Sequence, residues 1–245
     1  MMNYKMNVCY DGTRYNGWQR QGNTPNTIQG KIEDVLGKMT GHRVEVHGSG
    51  RTDKGVHAKA QTVSFKIYTE KNCDEILRYL NEYLPEDVAV TELREAEERF
   101  HARLCANRKT YAYRIWNSSI HNVFERNYLY TFPEKLNVEE MKRAAKLLEG
   151  EHDFLGFSSV KKTKKLTVRT IYKAEVITCG DEIRFVIEGN GFLYNMVRII
   201  SGTLLEIGKG VRKAETINEI FDSKNRALAG ETLPARGLTL IDIQY

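Results

Sequence analysis

The sequence lacks long apolar runs, and this absence restricts the class of protein. No run of about eighteen apolar residues occurs, so a membrane-spanning helix is not expected. The first residues, MMNYKMNVCYDG, include no apolar stretch of the length found in secretion signals. We therefore expect a cytoplasmic protein with no membrane association.

Cysteine is also scarce, and its placement argues against a metal or redox motif. The cysteines lie far apart and form no CxxC pair, at Cys9, Cys73, Cys105 and Cys179. A zinc knuckle and a thioredoxin-like motif are therefore disfavoured. His57 and His101 have no second histidine at the spacing of metal ligands, so we interpret both as hydrogen-bonding residues.

Length, composition and charge describe an ordinary globular protein with a weak preference for an anionic partner. With 245 residues, 41% hydrophobic and 28% charged, the chain can bury a core in one large or two small domains. Lys and Arg number 37 against 32 acids, a formal net charge of +5. The block KKTKK at 161–165 is, taken alone, more readily a solvated loop than a phosphate site.

In the first half of the chain, apolar residues alternate in four runs and recur at helical spacing in two. The alternating runs, which predict strands, are 4–10, 44–46, 63–67 and 88–90. The helical runs are 28–39 and 76–84, the second ending near Pro85. The resulting order, β-α-β-β-α-β, is that of ferredoxin-like and RNA-recognition-type domains.

The second half resembles the first, with one additional helix. Alternation predicts strands at 111–115, 172–176, 183–187 and 238–245, with a hairpin turn at Gly180-Asp181. Helices are predicted from an Asn137 N-cap to Gly150, from about 192 to 207, and from 216 to 221.

The fold class predicted from these elements is α+β. Two similar halves, residues 1–105 and 106–245, are expected to form a mixed, mainly antiparallel sheet with helices packed on it. A catalytic cleft is expected between the halves.

The segment HGSGRTDKGVHA at 47–58 is the most unusual in the chain, because three glycines surround Arg51, Asp53 and Lys54. A nucleotide-binding loop fails on spacing, since Val56 and His57 occupy the positions of the Walker Lys and Ser/Thr. A phosphate-transferring enzyme is therefore disfavoured. On local sequence alone, a tight turn and a catalytic loop around Asp53 are about equally supported.

Arg198 lies in the middle of a predicted helix that is apolar nearly all round, so the helix should be buried. A buried guanidinium needs a carboxylate, and Glu206 is two turns away on the same helix. Asp53 is the partner we prefer, and a structural pair with another acid is the alternative. Pairing with Arg198 would keep Asp53 ionised, as a nucleophile must be.

The segment RKTYAYRI at 108–115 alternates cations with two tyrosines on one strand. Aromatic faces near cations are what unstacked nucleobases bind, which makes Tyr111 a candidate base-binding residue. Tyrosines two apart on a strand are more often core residues, and we interpret Tyr113 in that way.

Together these segments resemble the TruA-type tRNA pseudouridine synthases over nearly the whole chain. The motifs that carry the resemblance are YDGTRYNGWQRQ at 10–21, TIQGKIEDVL at 27–36, GSGRTDKGVHA at 48–58, FHAR at 100–103, RKTYAYRI, HDFLGFS at 152–158, GNGFLYNMVRIISGTLLEIG at 189–208 and LPARGLTL at 233–240.

The resemblance implies isomerisation of uridine to pseudouridine at positions 38, 39 and 40 in the anticodon stem-loop of tRNA. It implies a homodimer that needs no cofactor and no metal, in keeping with a reaction that gains and loses no atoms. In this sequence Asp53 matches the nucleophile, Tyr111 the tyrosine that packs on the target base, and Arg198 the cation paired with the aspartate.

An RNA substrate also gives roles to cations outside the catalytic group. Arg51 and Arg103 are expected to hold backbone phosphates, with Phe100 of the FHAR motif among the substrate-binding residues. In a tRNA enzyme the basic block is expected to contact phosphate through Lys161, Lys162, Lys164 and Lys165. The alternative is a non-catalytic RNA-binding protein with two RNA-recognition-like units, which leaves Arg198 and the Asp53 loop unexplained.

Overall fold

A computed structural model describes residues 1–160 and 166–245. The chain divides into two compact units, one formed by Met1–Asn107 with Leu240–Tyr245 and the other by Arg108–Thr239. The sequence pattern divided the chain after residue 105 and kept 106–245 together. In the structure the division falls after Asn107, and the C-terminal residues lie with the first unit.

Tyr245 holds the C-terminus in the first unit. Its hydroxyl donates to the carbonyl oxygen of Ala102 at 2.9 Å, and its ring centroid lies 5.1 Å from that of Phe100. The ammonium of Lys5 lies 4.0 Å from the same ring. Burial raises the pKa of Tyr245 to about 12. These partners are remote in sequence, so alternation along the last strand could not assign that strand to a unit.

The first unit has the predicted element order β-α-β-β-α-β. Its elements are β1 (Met2–Tyr10), α1 (Ile28–Thr40), β2 (Val46–Gly48), β3 (His57–Ile67), α2 (Cys73–Tyr83) and β4 (Val88–Glu95). β1 pairs antiparallel with both β3 and β4, and β2 pairs antiparallel with β3. The prediction for this half is confirmed.

Alternation and helix caps explain why these segments adopt their structures. Met6 and Val8 on β1 have no exposed surface, while Lys5, Asn7 and Cys9, which alternate with them, are partly exposed. At the start of α1 the Thr27 side chain accepts from the Gly30 amide, and the face carrying Ile28 is buried.

The second unit contains more strands than its sequence pattern predicted. Its elements are β5 (Arg108–Trp116), β6 (Tyr130–Thr131), α3 (Val138–Lys146), β7 (Gly150–Asp153), β8 (Val168–Cys179), β9 (Glu182–Gly189), α4 (Met196–Gly208), α5 (Thr216–Ser223) and the start of β10 (Leu238–Gln244). Neighbouring strands follow the order β5-β9-β8-β7 with antiparallel pairing, and β6 pairs parallel with β5. The α+β class with a mixed, mostly antiparallel sheet is confirmed.

Of the boundaries predicted for α3 and for the β8–β9 hairpin, two are right and one is wrong. Asn137 caps α3 by accepting from the Glu140 amide at 3.2 Å, and Gly180, with φ 57°, closes the β8–β9 hairpin. The end of α3 was placed at Gly150, but the helix ends at Lys146 and Gly150 begins β7. The amides that follow Lys146 bond three residues back, which tightens the last turn and ends the helix.

The start of α4 also differs from the prediction. The apolar pattern placed it near Phe192, whereas the helix begins at Met196. Asn195 has φ 60° and ψ 3°, a left-handed conformation that no helical turn can continue through. In the described part of the chain, no helix is both long and apolar enough to cross a membrane.

Candidate active site

The loop that carries Asp53 connects β2 to β3, and its first half is tied to β3. The Ser49 amide donates to the Thr62 carbonyl at 2.9 Å, and the Ser49 hydroxyl donates to the side chain of Gln61 at 2.5 Å. Gln61 in turn donates to the Gly50 carbonyl at 2.8 Å. Ser49 and Gln61 are both fully buried, so the entry to the loop is fixed.

The backbone on either side of Asp53 is also fixed by hydrogen bonds. The Thr52 carbonyl accepts from the Trp18 amide at 3.0 Å, and the Thr52 hydroxyl lies 2.8 Å from that of Tyr10. On the other side the Val56 amide donates to the Asp53 carbonyl at 3.1 Å, which closes a turn. Asp53 itself is half-buried in a loop whose flanking peptide groups are fixed.

The segment that follows β1 packs against this loop. Gly17 has φ 90°, and a Cβ there would lie 2.6 Å from the Thr52 carbonyl oxygen. Only glycine therefore permits the Trp18 amide to reach Thr52. Sequence reasoning used this segment only as part of the resemblance and gave it no structural role. The signal that could have found it is the pair of glycines, Gly12 and Gly17, close after β1.

His57 and His101 both make hydrogen bonds within the first unit, as predicted. The Gly12 amide donates to His57 Nδ1 at 3.0 Å, and the Arg103 amide donates to His101 Nδ1 at 3.1 Å. Burial lowers the pKa of His101, and the neighbouring His47 lowers it further. Among residues 1–160 and 166–245, no three His, Cys, Asp or Glu side chains are grouped so that they could hold a metal ion.

In the second unit, α4 is buried almost all round, as predicted, but Arg198 is only half-buried. Its Nε donates to the Leu233 carbonyl at 2.7 Å, and its Nη1 donates to Asn195 Oδ1 at 3.0 Å. Glu206, the acid on the same helix, bonds to Arg212 instead. Sequence reasoning missed both Asn195 and the Leu233 carbonyl. The pairing of Arg198 with Asp53 stays a prediction.

The two tyrosines of β5 have different surroundings. Tyr113 has no exposed surface and donates to the Pro234 carbonyl at 2.7 Å, so the prediction of a core residue is confirmed. Tyr111 is 8% exposed, and its ring meets the edge of Phe192 with centroids 5.2 Å apart at 82°. Its role as the residue that packs on the target base stays a prediction.

The residues predicted to contact RNA are mostly at the surface. Arg51 and Arg103 are exposed, and Phe100 is half-buried against Tyr245. Lys161, Lys162, Lys164 and Lys165 lie outside the described residues.

Chemically, the Asp53 loop presents one carboxylate between the exposed cations Arg51 and Lys54. A carboxylate on a backbone fixed in this way can act as a nucleophile or as a base. The adjacent cations favour a substrate that carries phosphate groups. These properties suit a reaction on a nucleic acid.

Comparison with known proteins agrees with this chemistry. A family model described as tRNA pseudouridine synthase matches residues 6–104 and 144–245. The tRNA pseudouridine synthase A 2 of Bacillus anthracis is 45% identical over 245 residues, and a tRNA pseudouridine synthase A of a Bacillus species is 46% identical over 248 residues. The tRNA pseudouridine synthase A 1 of Clostridium tetani is 47% identical over 245 residues. Each of these alignments covers 100% of both chains. The chain therefore belongs to the TruA-type tRNA pseudouridine synthases, isomerases that act on uridine in tRNA.

Proposed function

We propose that this enzyme converts uridine to pseudouridine at positions 38, 39 and 40 of the anticodon stem-loop, with Asp53 as the nucleophile. Family membership makes the protein an enzyme, which sets aside the alternative of a non-catalytic RNA-binding protein. The choice of stem-loop positions rests on the resemblance of the motifs. The assignment of Asp53 is carried by its half-buried carboxylate, which sits in a loop fixed on both sides.

The reaction places few demands on a protein beyond a carboxylate and a closed pocket. The bond between N1 of uracil and C1′ of ribose breaks, the base turns, and a bond forms between C5 and C1′. C5 loses a proton and N1 gains one, so atoms and electrons balance without a cofactor. Asp53 serves in each of three routes: attack on the sugar, addition to the uracil ring, or assistance to elimination at C1′. All three need the ionised carboxylate.

Tyr111 and Arg198 complete the proposed catalytic group. The target nucleotide must leave the base stack to be turned, and we assign Tyr111 the role of packing on the extruded uracil. We assign Arg198 the role of an ion-pair partner that keeps Asp53 ionised. The support for Arg198 is its position, because it places a half-buried cation on a helix whose other residues, apart from Glu206, are all buried.

The remaining parts of the proposal concern binding and assembly. Arg51, Arg103 and Phe100 contact the tRNA, together with the lysines at 161, 162, 164 and 165. The protein acts in the cytoplasm, as the absence of long apolar runs predicts, and it forms a homodimer, as the resemblance implies. Sedimentation of the purified protein measures the dimer directly, and a monomer at working concentration would contradict that part.

The test of the central claim is Asp53→Asn, which removes the charge and keeps nearly the same shape. We expect isomerisation to fall by about a thousand-fold or more, while tRNA affinity changes by less than about three-fold. Release of tritium from tRNA labelled at uracil C5 measures turnover. Mapping of the modified positions shows whether they are 38, 39 and 40.

The matched control is Asp222→Asn, which makes the same chemical change at an exposed position on α5. It should leave both turnover and affinity unchanged. Turnover near the wild-type rate in Asp53→Asn would exclude Asp53 as the nucleophile.

A further inference from the structure

Asn195 is conformationally unusual for the residue that precedes a helix. Within residues 1–160 and 166–245, the non-glycine residues with positive φ are Asn195, at 60°, and Lys224, at 52°. Asn195 occupies the N-cap position of α4, where an asparagine side chain normally accepts a hydrogen bond from the first helical turn. Here the side chain makes no such bond.

The side chain of Asn195 bonds instead to two other side chains. Its Nδ2 donates to the hydroxyl oxygen of Ser159 at 3.0 Å, and its Oδ1 accepts from Nη1 of Arg198 at 3.0 Å. The side-chain amide of Asn195 therefore connects the Ser159 hydroxyl to the Arg198 guanidinium. The backbone amide of Ser159 also donates to the Tyr194 carbonyl at 3.0 Å, so Ser159 is itself bonded to the residue before Asn195.

A guanidinium is planar, so fixing two of its nitrogens fixes its orientation. Asn195 holds Nη1, and the Leu233 carbonyl holds Nε at 2.7 Å. The Leu233 amide donates back to the Arg198 carbonyl at 3.3 Å, which ties the two backbones together. Both bonds run to neutral oxygens, so they orient the guanidinium without neutralising its charge.

The left-handed backbone and the missing cap bond are explained together by this arrangement. In the usual extended N-cap conformation, the asparagine side chain turns toward the first amides of its own helix. In the left-handed conformation, it turns to Ser159 and Arg198 instead. A backbone conformation that is rare for non-glycine residues persists where the surrounding structure imposes it, and such residues cluster at functional sites.

We propose that Asn195 is a positioning residue that orients the Arg198 guanidinium for the isomerisation. The proposal rests on the role assigned to Arg198 above. Asn195 acts through Arg198 and not on the substrate, so its loss should slow turnover without weakening tRNA binding.

The structure offers a clean variant in Asn195→Gly, because glycine adopts the left-handed conformation without strain and only the amide is lost. We expect kcat to fall by about 10-fold or more, since small misorientations of reacting groups have effects of this size, with KM for tRNA within about three-fold. The matched control is Lys224→Gly, the same replacement at the other left-handed residue. Lys224 pairs with Asp153 at 2.9 Å, so this control removes one half-exposed ion pair, but it should change neither kcat nor KM. Asn195→Gly should unfold near the wild-type temperature.

A second measurement follows the guanidinium itself. The Nη signals of Arg198, assigned by their loss in Arg198→Met, should report faster rotation about the Cζ–Nη bonds in Asn195→Gly than in wild type, because Nη1 makes the bond to Asn195. Greater motion together with the selective fall in kcat supports the proposal. Wild-type motion would overturn it even if kcat fell, because the amide would then not be what holds Arg198.

Arg198→Met separates this inference from the proposed function. If Arg198→Met keeps the wild-type kcat, the assigned role of Arg198 fails and the inference fails with it. If Arg198→Met is inactive and Asn195→Gly keeps the wild-type kcat, the role of Arg198 stands and only the inference is overturned. In the double variant, kcat no lower than in Arg198→Met alone supports action through Arg198, whereas multiplied effects contradict it.

Discussion

At Asp53, the carboxylate is surrounded by backbone that is fixed before any substrate binds. The carbonyl of Thr52 is bonded to the Trp18 amide, and the carbonyl of Asp53 is bonded to the Val56 amide. The flanking peptide groups cannot rotate without breaking these bonds, so the side chain leaves the backbone in a set direction. Preorganisation of this kind lowers the reorganisation needed during reaction.

Two substitutions at Tyr111 distinguish between two roles for this residue, stacking on the base and proton transfer. Tyr111→Phe keeps the ring and its edge contact with Phe192 but removes the hydroxyl. If Tyr111 acts by packing on the base, we expect kcat/KM within about three-fold of wild type. Tyr111→Ala removes the ring and should lower kcat/KM by about 5- to 160-fold, since stacking on one base contributes about 1–3 kcal/mol.

The same assay on Tyr113→Phe is the control, because Tyr113 is a core residue whose hydroxyl bonds to Pro234. Its effect should appear in the unfolding temperature and not in kcat/KM. A loss of kcat in Tyr111→Phe as large as in Tyr111→Ala would favour a role in proton transfer and contradict stacking.

At the scale of elements, the pairing of β5 with β9 places Arg114 directly opposite Arg184. Like charges in that register repel, and Glu182 offsets the repulsion by bonding to both. Arg114 holds the Glu182 carboxylate through two bonds, of 2.8 and 2.7 Å, and Arg184 donates to it at 2.8 Å. The hydrogen bonds from Arg114, followed by those from Arg184, lower the pKa of Glu182 to about 2, against the effect of burial.

This arrangement predicts a pH-dependent stability. Because the folded-state pKa of Glu182 lies below its ordinary value of 4.5, its carboxylate stabilises the fold above that pH, and the stabilisation is lost as pH falls from 4.5 toward 2. Glu182→Gln should lower the free energy of unfolding by about 2 kcal/mol at pH 7, a figure reduced for partial exposure of the network. Denaturant titrations at several pH values measure the difference between wild type and variant, which should shrink toward pH 2.

The control for this measurement is Glu139→Gln on α3, whose carboxylate pairs with Lys142 but is 81% exposed. Its effect should stay within about 0.5 kcal/mol at every pH. A difference for Glu182→Gln that does not change with pH would mean that the carboxylate charge is not what stabilises the β5–β9 pair.

At the scale of the whole molecule, a net charge of +5 is too small to explain tRNA binding, so the placement of cations must matter. We expect that replacing Lys161, Lys162, Lys164 and Lys165 with glutamine reduces the magnitude of the slope of log affinity against log salt by about 3, because each phosphate contact contributes roughly 0.7–0.9. Filter binding over a range of salt concentrations measures that slope.

A matched control removes three cations from α3, Lys142, Arg143 and Lys146, which are all paired with glutamates. Their charges are already balanced, so the slope should not change. An unchanged slope for the four-lysine variant would return the 161–165 block to the role of a solvated loop.

Local sequence by itself determined the elements whose cause lies within a few residues. Alternation of apolar residues was enough to place β1, helical spacing was enough to place α1, and a cap residue was enough to place the start of α3 at Asn137. The glycine in the β8–β9 turn was likewise sufficient. These features depend on side-chain direction and backbone preference, which neighbouring residues fix. The unusual glycines and charges around Asp53 likewise indicated a candidate site.

Tertiary structure decided the features that depend on partners distant in the chain. A sequence pattern records that Arg198 stands on a buried helix, but not that Asn195 and Leu233 take its hydrogen bonds. Likewise, the need for glycine at position 17 arises from the Thr52 carbonyl, which packs where a Cβ would be. The packing of Tyr245 in the first unit depends on Phe100 and on the Ala102 carbonyl. Periodicity encodes how much of a residue is buried, whereas the identity of its neighbours follows from how the elements pack, which no local pattern contains.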